Sequence, residues 1–130
     1  GRTVESDLIQ FIQKDRFAKH VGTKLIEVKP GYARVMMEIT ENHLNGVDMV
    51  QGGAIFALAD YAFAAACNSS GMLTVGINVN ISYVKSPRGK VLMAIAKEIS
   101  SGRKICNVHI DVLDENEDLI AVVQATGYRK

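Results

Sequence analysis

Thirteen consecutive residues, Ala54 to Ala66, set the main constraint on this 130-residue chain. All but Asp60 are apolar or aromatic, and seven are alanine, the residue with the strongest helical preference. A helix that is apolar on every side has to be covered on every side. Thirteen residues fall short of the ~20 needed to span a bilayer, so the segment reads as a core helix. Gly52-Gly53 precedes it, and Asn68-Ser69-Ser70-Gly71 closes it.

What covers the helix is written around it. Thr23 to Lys29 reads as a strand that ends at Lys29-Pro30-Gly31. Tyr32 to Thr40 alternates, with Val35, Met37 and Ile39 on one side. The polar loop Glu41 to Asp48 follows. After the helix, Val75, Ile77, Val79, Ile81 and Tyr83 alternate with Gly76, Asn78, Asn80 and Ser82. Three more strands are expected over Val91–Ser100, Lys104–Leu113 and Leu119–Tyr128, separated by Ser86-Pro87-Arg88-Gly89, Ser101-Gly102 and Asp114 to Asp118. Short turns make antiparallel neighbours. The economical solution is an α+β domain spanning 1–130, a curved antiparallel sheet of about six strands wrapped around one long helix. Ser6-Asp7 is expected to cap a short N-terminal helix with Leu8, Ile9, Phe11 and Ile12 on one face.

Composition removes several function classes. Fifteen Lys and Arg against fourteen Asp and Glu leave +1, so net charge gives no reason to expect nucleic acid. No phosphate-binding glycine motif, zinc spacing or serine-hydrolase elbow is present. No apolar run reaches the ~20 residues needed to span a bilayer, and the start lacks the order of a secretory leader. Gly1 in place of Met reads as a trimmed or added start. Cys67 and Cys106 have no metal or redox spacing, which suits a reducing cytoplasm.

Asp60 is out of place in such a helix, because a buried charge is costly unless it is paired. It is either a structural carboxylate hydrogen-bonded to strands or a catalytic one held in a dry cleft. Gly52 and Gly53 either relieve a tight loop-to-helix turn or present unpaired helix N–H groups to an oxyanion. Gly52 and Asp60 lie eight residues apart, which is ~12 Å along a helix. An attacking group and an oxyanion donor must both come within ~3 Å of one carbonyl. One copy of the helix can hardly do both; two antiparallel copies about a two-fold axis can. The expectation is a homodimer with a shared active site.

Several stretches resemble the hotdog-fold thioesterases, specifically the phenylacetyl-CoA (PaaI-type) branch of the 4-hydroxybenzoyl-CoA thioesterase superfamily. They are His43-Leu44-Asn45-Gly46, Gln51-Gly52-Gly53-Ala54 and Leu58-Ala59-Asp60, with Arg16 to Gly22 and Pro30 to Arg34 before them. Asn80-Ile81-Ser82-Tyr83 and Pro87-Arg88-Gly89 follow. The resemblance implies hydrolysis of an acyl-CoA to acid and CoA, with no cofactor beyond the coenzyme A of the substrate. It implies Asp60 as nucleophile or general base, the Gly52 N–H as polarising donor, and Asn45 on the attacking water or thioester group. Gly53, Asn78 and Ser82 join the substrate contacts. It also implies a homodimer that pairs into a tetramer.

Two departures stand out. Gln51 occupies the position where the family usually has His, and Gln cannot titrate near neutral pH. Ala64 replaces a hydroxyl residue of some relatives. The phosphates of CoA call for cations, and Lys85, Arg88 and Lys90 cluster at one turn while Gly102, Arg103 and Lys104 mark another. His43, His20 and His109 read as structural, and Cys67 as a buried, inert thiol. The competing reading is a non-catalytic acyl-CoA-binding module of the same fold. A dehydratase would need a catalytic His beside the carboxylate, and none is evident.

Overall fold

The computed structural model of the chain describes residues 10–130, so the expected Ser6-Asp7 cap, Leu8 and Ile9 lie outside the described residues. Residues 10–13 are helical, and Ile12 is buried. A second short helix, α1 (Arg16–Val21), was not expected. The Asp15 carboxylate accepts from the Ala18 N–H at 3.0 Å and caps its start, and Gly22 ends it in the left-handed conformation at φ 96°.

The strands are β1 (Thr23–Lys29), β2 (Tyr32–Glu38), β3 (Thr74–Tyr83), β4 (Val91–Ser101), β5 (Ile105–Asp114) and β6 (Leu119–Arg129). A 3₁₀ turn (Glu41–His43) and the long helix α2 (Gly52–Cys67) separate β2 from β3. All strand pairs are antiparallel, in the order β1-β2-β4-β5-β6-β3. The turn expected at residues 86–89 does not make neighbours of β3 and β4. Both sides of β4 are occupied, by β2 and β5, so the chain carries β3 to the far edge beside β6.

Small and large side chains interleave across the concave face. One row runs Val35, Ala94, Val112, Ala121, all buried against the helix. Alanines on both surfaces let sheet and helix approach closely, and Leu58, Ala62 and Phe63 fill the contact. Gly76 and Gly127, opposite each other on β3 and β6, form a dent under Phe63. A Cβ on Gly127 would lie 2.7 Å from Thr74 Cγ2 and 2.9 Å from Cys106 Sγ, and one on Gly76 would lie 3.0 Å from the Phe63 ring. At the same end the Arg129 guanidinium is buried and donates to Glu98 at 2.9 Å.

The helix corrects the sequence reading. It is covered on three sides, not four: Gly52, Phe56 and Ala64 are half-buried and Asp60 is exposed, four residues apart along one stripe. Six strands curl only part of the way round before they reach the edges β1 and β3. The strand after the helix also departs from simple alternation. A bulge between Gly76 and Asn78 shifts its parity, so Val79 and Ile81 pack inward while Ile77 is 57% exposed.

Gly127→Ala is expected to destabilise the fold by ~1–3 kcal/mol, since the new methyl must displace Thr74, Cys106 or Phe63. Urea unfolding of the variant against wild type measures this.

Candidate active site

The start of α2 is built by hydrogen bonds from three directions. Gln51 is the N-cap, extended at φ −67° and ψ 136°, and its side-chain carbonyl accepts from the Gly53 N–H at 2.7 Å. Its backbone N–H donates to the His43 carbonyl at 2.8 Å, and its backbone carbonyl accepts from Ala54 and Ile55. Gly52 is therefore the first helical residue, where an N–H has no helical acceptor. No acceptor for it occurs among the described residues.

His43 is buried at 7% exposure and works as a strut. Its Nδ1 accepts from the Thr40 N–H at 2.9 Å, so the proton sits on Nε2, which donates to the Val21 carbonyl at 2.6 Å. Both nitrogens are thereby committed to holding the loop against α1. Asn45 pins the next stretch: its Oδ1 accepts from the Val47 and Met49 N–H groups, each at 3.0 Å. Within one chain, then, Asn45 shapes the loop that delivers Gln51.

Asp60 sits about two turns further on, facing the open stripe. Partial burial against its apolar neighbours raises its pKa above the ordinary 3.8, and the nearby Asp15 carboxylate raises it further. The same two causes raise Tyr61. No hydrogen bond reaches the Asp60 carboxylate among the described residues. It is therefore not the strand-bonded structural Asp of the simplest reading.

Two hollows flank the helix start. One, of about 550 Å³, takes in Phe17, Val21, His43, Gln51 and Gly53. The other, of about 370 Å³, runs from Gly52 past Tyr83 to Lys85, Ser86 and Pro87. Lys85 is salt-bridged to Asp118 at 3.0 Å, and the Arg88 backbone N–H donates to Asp114. Gly102, Arg103 and Lys104 lie at the opposite end of β4, roughly 35 Å away along an eleven-residue strand. Lys104 rests over the Tyr128 ring there. The two basic clusters thus do not meet in one chain. Asn78 and Ser82 do not reach the helix either: they pair with Thr126 and Val122 on the outer face of the sheet.

Other expectations resolve simply. Burial pushes the Cys67 thiol up to about 12, in keeping with an inert side chain, and Cys106 is buried beside it. His109 bonds Asp111 and Gln124 on the outer face. Sequence reasoning missed Asp15, legible only as a cap three residues before Ala18, and the phenol of Tyr83, which donates to the Gly52 carbonyl at 3.0 Å. Among the described residues no group of three His, Cys, Asp or Glu could hold a metal ion, and no helix is long and apolar enough to cross a membrane.

Residues 48–121 match the model of the Thioesterase superfamily, a stretch that carries the Gln51-Gly52-Gly53 start and Asp60. The chain belongs to the Thioesterase superfamily. It is by class a thioester hydrolase. It is 39% identical over 118 residues to a protein of Archaeoglobus fulgidus named as an esterase, covering 90% of this chain and 77% of that one. It is 31% identical over 118 residues to the acyl-coenzyme A thioesterase PaaI of Escherichia coli, covering 90% and 84%. The structure of the E. coli PaaI protein superposes with a TM-score of 0.90 at 28% identity, covering 98% of this chain and 96% of that one. The architecture is the hotdog fold.

Asp15→Asn keeps a side chain able to cap α1 and removes the charge that raises Asp60. The Asp60 carboxyl is expected to titrate at lower pH in this variant than in wild type, as an NMR titration of its side-chain carboxyl carbon would record.

Proposed function

We propose that the chain hydrolyses an acyl-CoA thioester to carboxylic acid and CoA at a site shared between two subunits. One observation carries the reading: the unclaimed Gly52 N–H and the exposed Asp60 lie on one open stripe of α2, yet ~12 Å apart. A second helix packed antiparallel along the stripe brings the Gly52 of one subunit to the Asp60 of the other. It also sets a positive helix end beside a carboxylate whose pKa is otherwise raised, which favours the ionised form. The membership in the Thioesterase superfamily and the likeness to the E. coli PaaI protein support the choice of substrate class.

In this reading the Gly52 N–H donates to the thioester oxygen and stabilises the negative charge that develops there. Asp60 takes a proton from water as the water oxygen attacks, or attacks the carbonyl itself to form an anhydride that water then opens. In either route the C–S bond breaks, and the CoA thiolate leaves and is protonated. Gln51 and Gly53 line the acyl side. Asn45 turns its free amide toward the thioester or the water. Antiparallel pairing also sets the Lys85 and Arg88 end of one subunit beside the Gly102, Arg103 and Lys104 end of the other, so that one CoA has cations from both. Asn78 and Ser82, on the outer face, are assigned no contact within their own subunit. The interface runs along the β3 edge, where Val75 and Ile77 are exposed beside unpaired backbone, and dimers pair into tetramers. A non-catalytic acyl-CoA-binding module is the second reading, favoured only by Gln51 in the place of His.

Release of free thiol from a panel of acyl-CoAs tests the assignment. Asp60→Asn is expected to bind CoA and lose kcat by ~10³-fold or more. Within one subunit the raised pKa makes ionised Asp60 oppose folding, so at dilutions that hold subunits apart the variant should be at least as stable as wild type at neutral pH. That advantage should vanish below pH 3.8. Unchanged turnover would remove Asp60 from the chemistry. Gly52→Pro deletes the proposed donor at a position where helices tolerate proline and where Gln51 already has the extended backbone that proline requires, and the exposed Tyr83 ring, 3.1 Å from the new Cβ, has to give by a few tenths of an ångström. A kcat loss of ~10²-fold or more is expected.

A further inference from the structure

We infer that Tyr83 is a positioning residue for the oxyanion donor, acting through the peptide group that joins Gly52 to Gly53. The inference rests on the thioesterase reading of the same site. That peptide is held at both ends. Its carbonyl accepts from the Tyr83 hydroxyl at 3.0 Å, and its N–H donates to the Gln51 side chain at 2.7 Å. The peptide before it is held by its own carbonyl, which accepts from Ala54 and Ile55, and the one before that by its N–H on His43. Three successive peptide planes are thus tied down around the one N–H that remains unclaimed.

The arrangement has a physical reason. Gly52 lacks the Cβ that would restrict its backbone, so the direction of its N–H has to be set from outside. The Tyr83 ring supplies the surface: a Cβ on Gly52 would lie 3.1 Å from its Cζ and 3.1 Å from its hydroxyl oxygen. Glycine at 52 and tyrosine at 83 are therefore complementary. Two glycine N–H groups open the helix, and Gln51 engages that of Gly53. The clamp leaves a single backbone donor with one fixed direction, which is the condition for stabilising developing charge without reorganisation. Tyr83 ends β3 at the wall of the hollow that leads to Lys85, so the same strand aligns the donor with the basic turn.

Tyr83→Phe removes the hydroxyl and keeps the ring. Two measurements test it: the ¹⁵N–¹H shifts of the glycine amides in the substrate-free protein, and kcat and KM on an acyl-CoA that wild type hydrolyses. The Gly53 amide should shift while the distant Gly102 amide does not. The kcat should fall roughly tenfold, the worth of one ordinary hydrogen bond, with KM changed by less than about twofold. Tyr83→Leu, which also loses the ring, should lower kcat further. A Gly53 amide that stays in place, or a KM change with kcat intact, would overturn the role of Tyr83 and leave the thioesterase reading standing. A wild-type protein that hydrolyses no acyl-CoA would overturn both, whatever the amide does.

Discussion

The structure depends on how completely a sheet can cover an apolar helix. Alanines let β2, β4 and β5 approach α2 closely, and the core is dense as a result. Six strands still leave one stripe bare, from Gly52 through Phe56 and Asp60 to Ala64. Past the first turn, that stripe is where a carboxylate on the helix can reach water. The same stripe is where a second copy would have to pack. The raised pKa of Asp60 reflects its position at the border between core and solvent.

The helix start is rigid for a complementary reason. A glycine pair at an N-terminus is the least restrained backbone a chain can offer. Here a buried His43, an Asn45-pinned loop, the Gln51 side chain and the Tyr83 phenol restrain it from every side. Only the Gly52 N–H escapes. The site is accordingly a property of the loop before the helix and the strand after it, not of the helix alone. Gln51 uses its side-chain carbonyl as a cap, a task that needs no titratable group.

Much of this was legible in the residues. Strand β1 begins and ends where alternation and the Pro30-Gly31 turn put it, and β4 to β6 fall within a residue of their expected bounds. The helix begins two residues early and ends one late, because glycine and cysteine at its ends break the apolar run without breaking the helix. The Gly52-to-Asp60 separation needed no coordinates, since helical rise is universal. Other features were not legible. α1 has six residues, too few to display a period. The edge position of β3 follows from which strands already have both neighbours, a tertiary fact. Ile77 reads as sharing a face with Val79 and Ile81, and one extra residue in the bulge between Gly76 and Asn78 puts it on the other. The open stripe was invisible because Phe56 and Ala64 are as apolar as the residues that are buried.

The distance between donor and carboxylate is the central claim, and mixing two inactive proteins tests it most directly. Gly52→Pro and Asp60→Asn subunits, refolded together in equal amounts, form mixed dimers in which one of the two sites joins an intact Gly52 to an intact Asp60. If the site spans two chains, thioester hydrolysis returns to about a quarter of the wild-type rate, as random pairing dictates. A mixture as inactive as its components, with mixed dimers confirmed by native mass spectrometry, would place both groups in one chain and contradict the account.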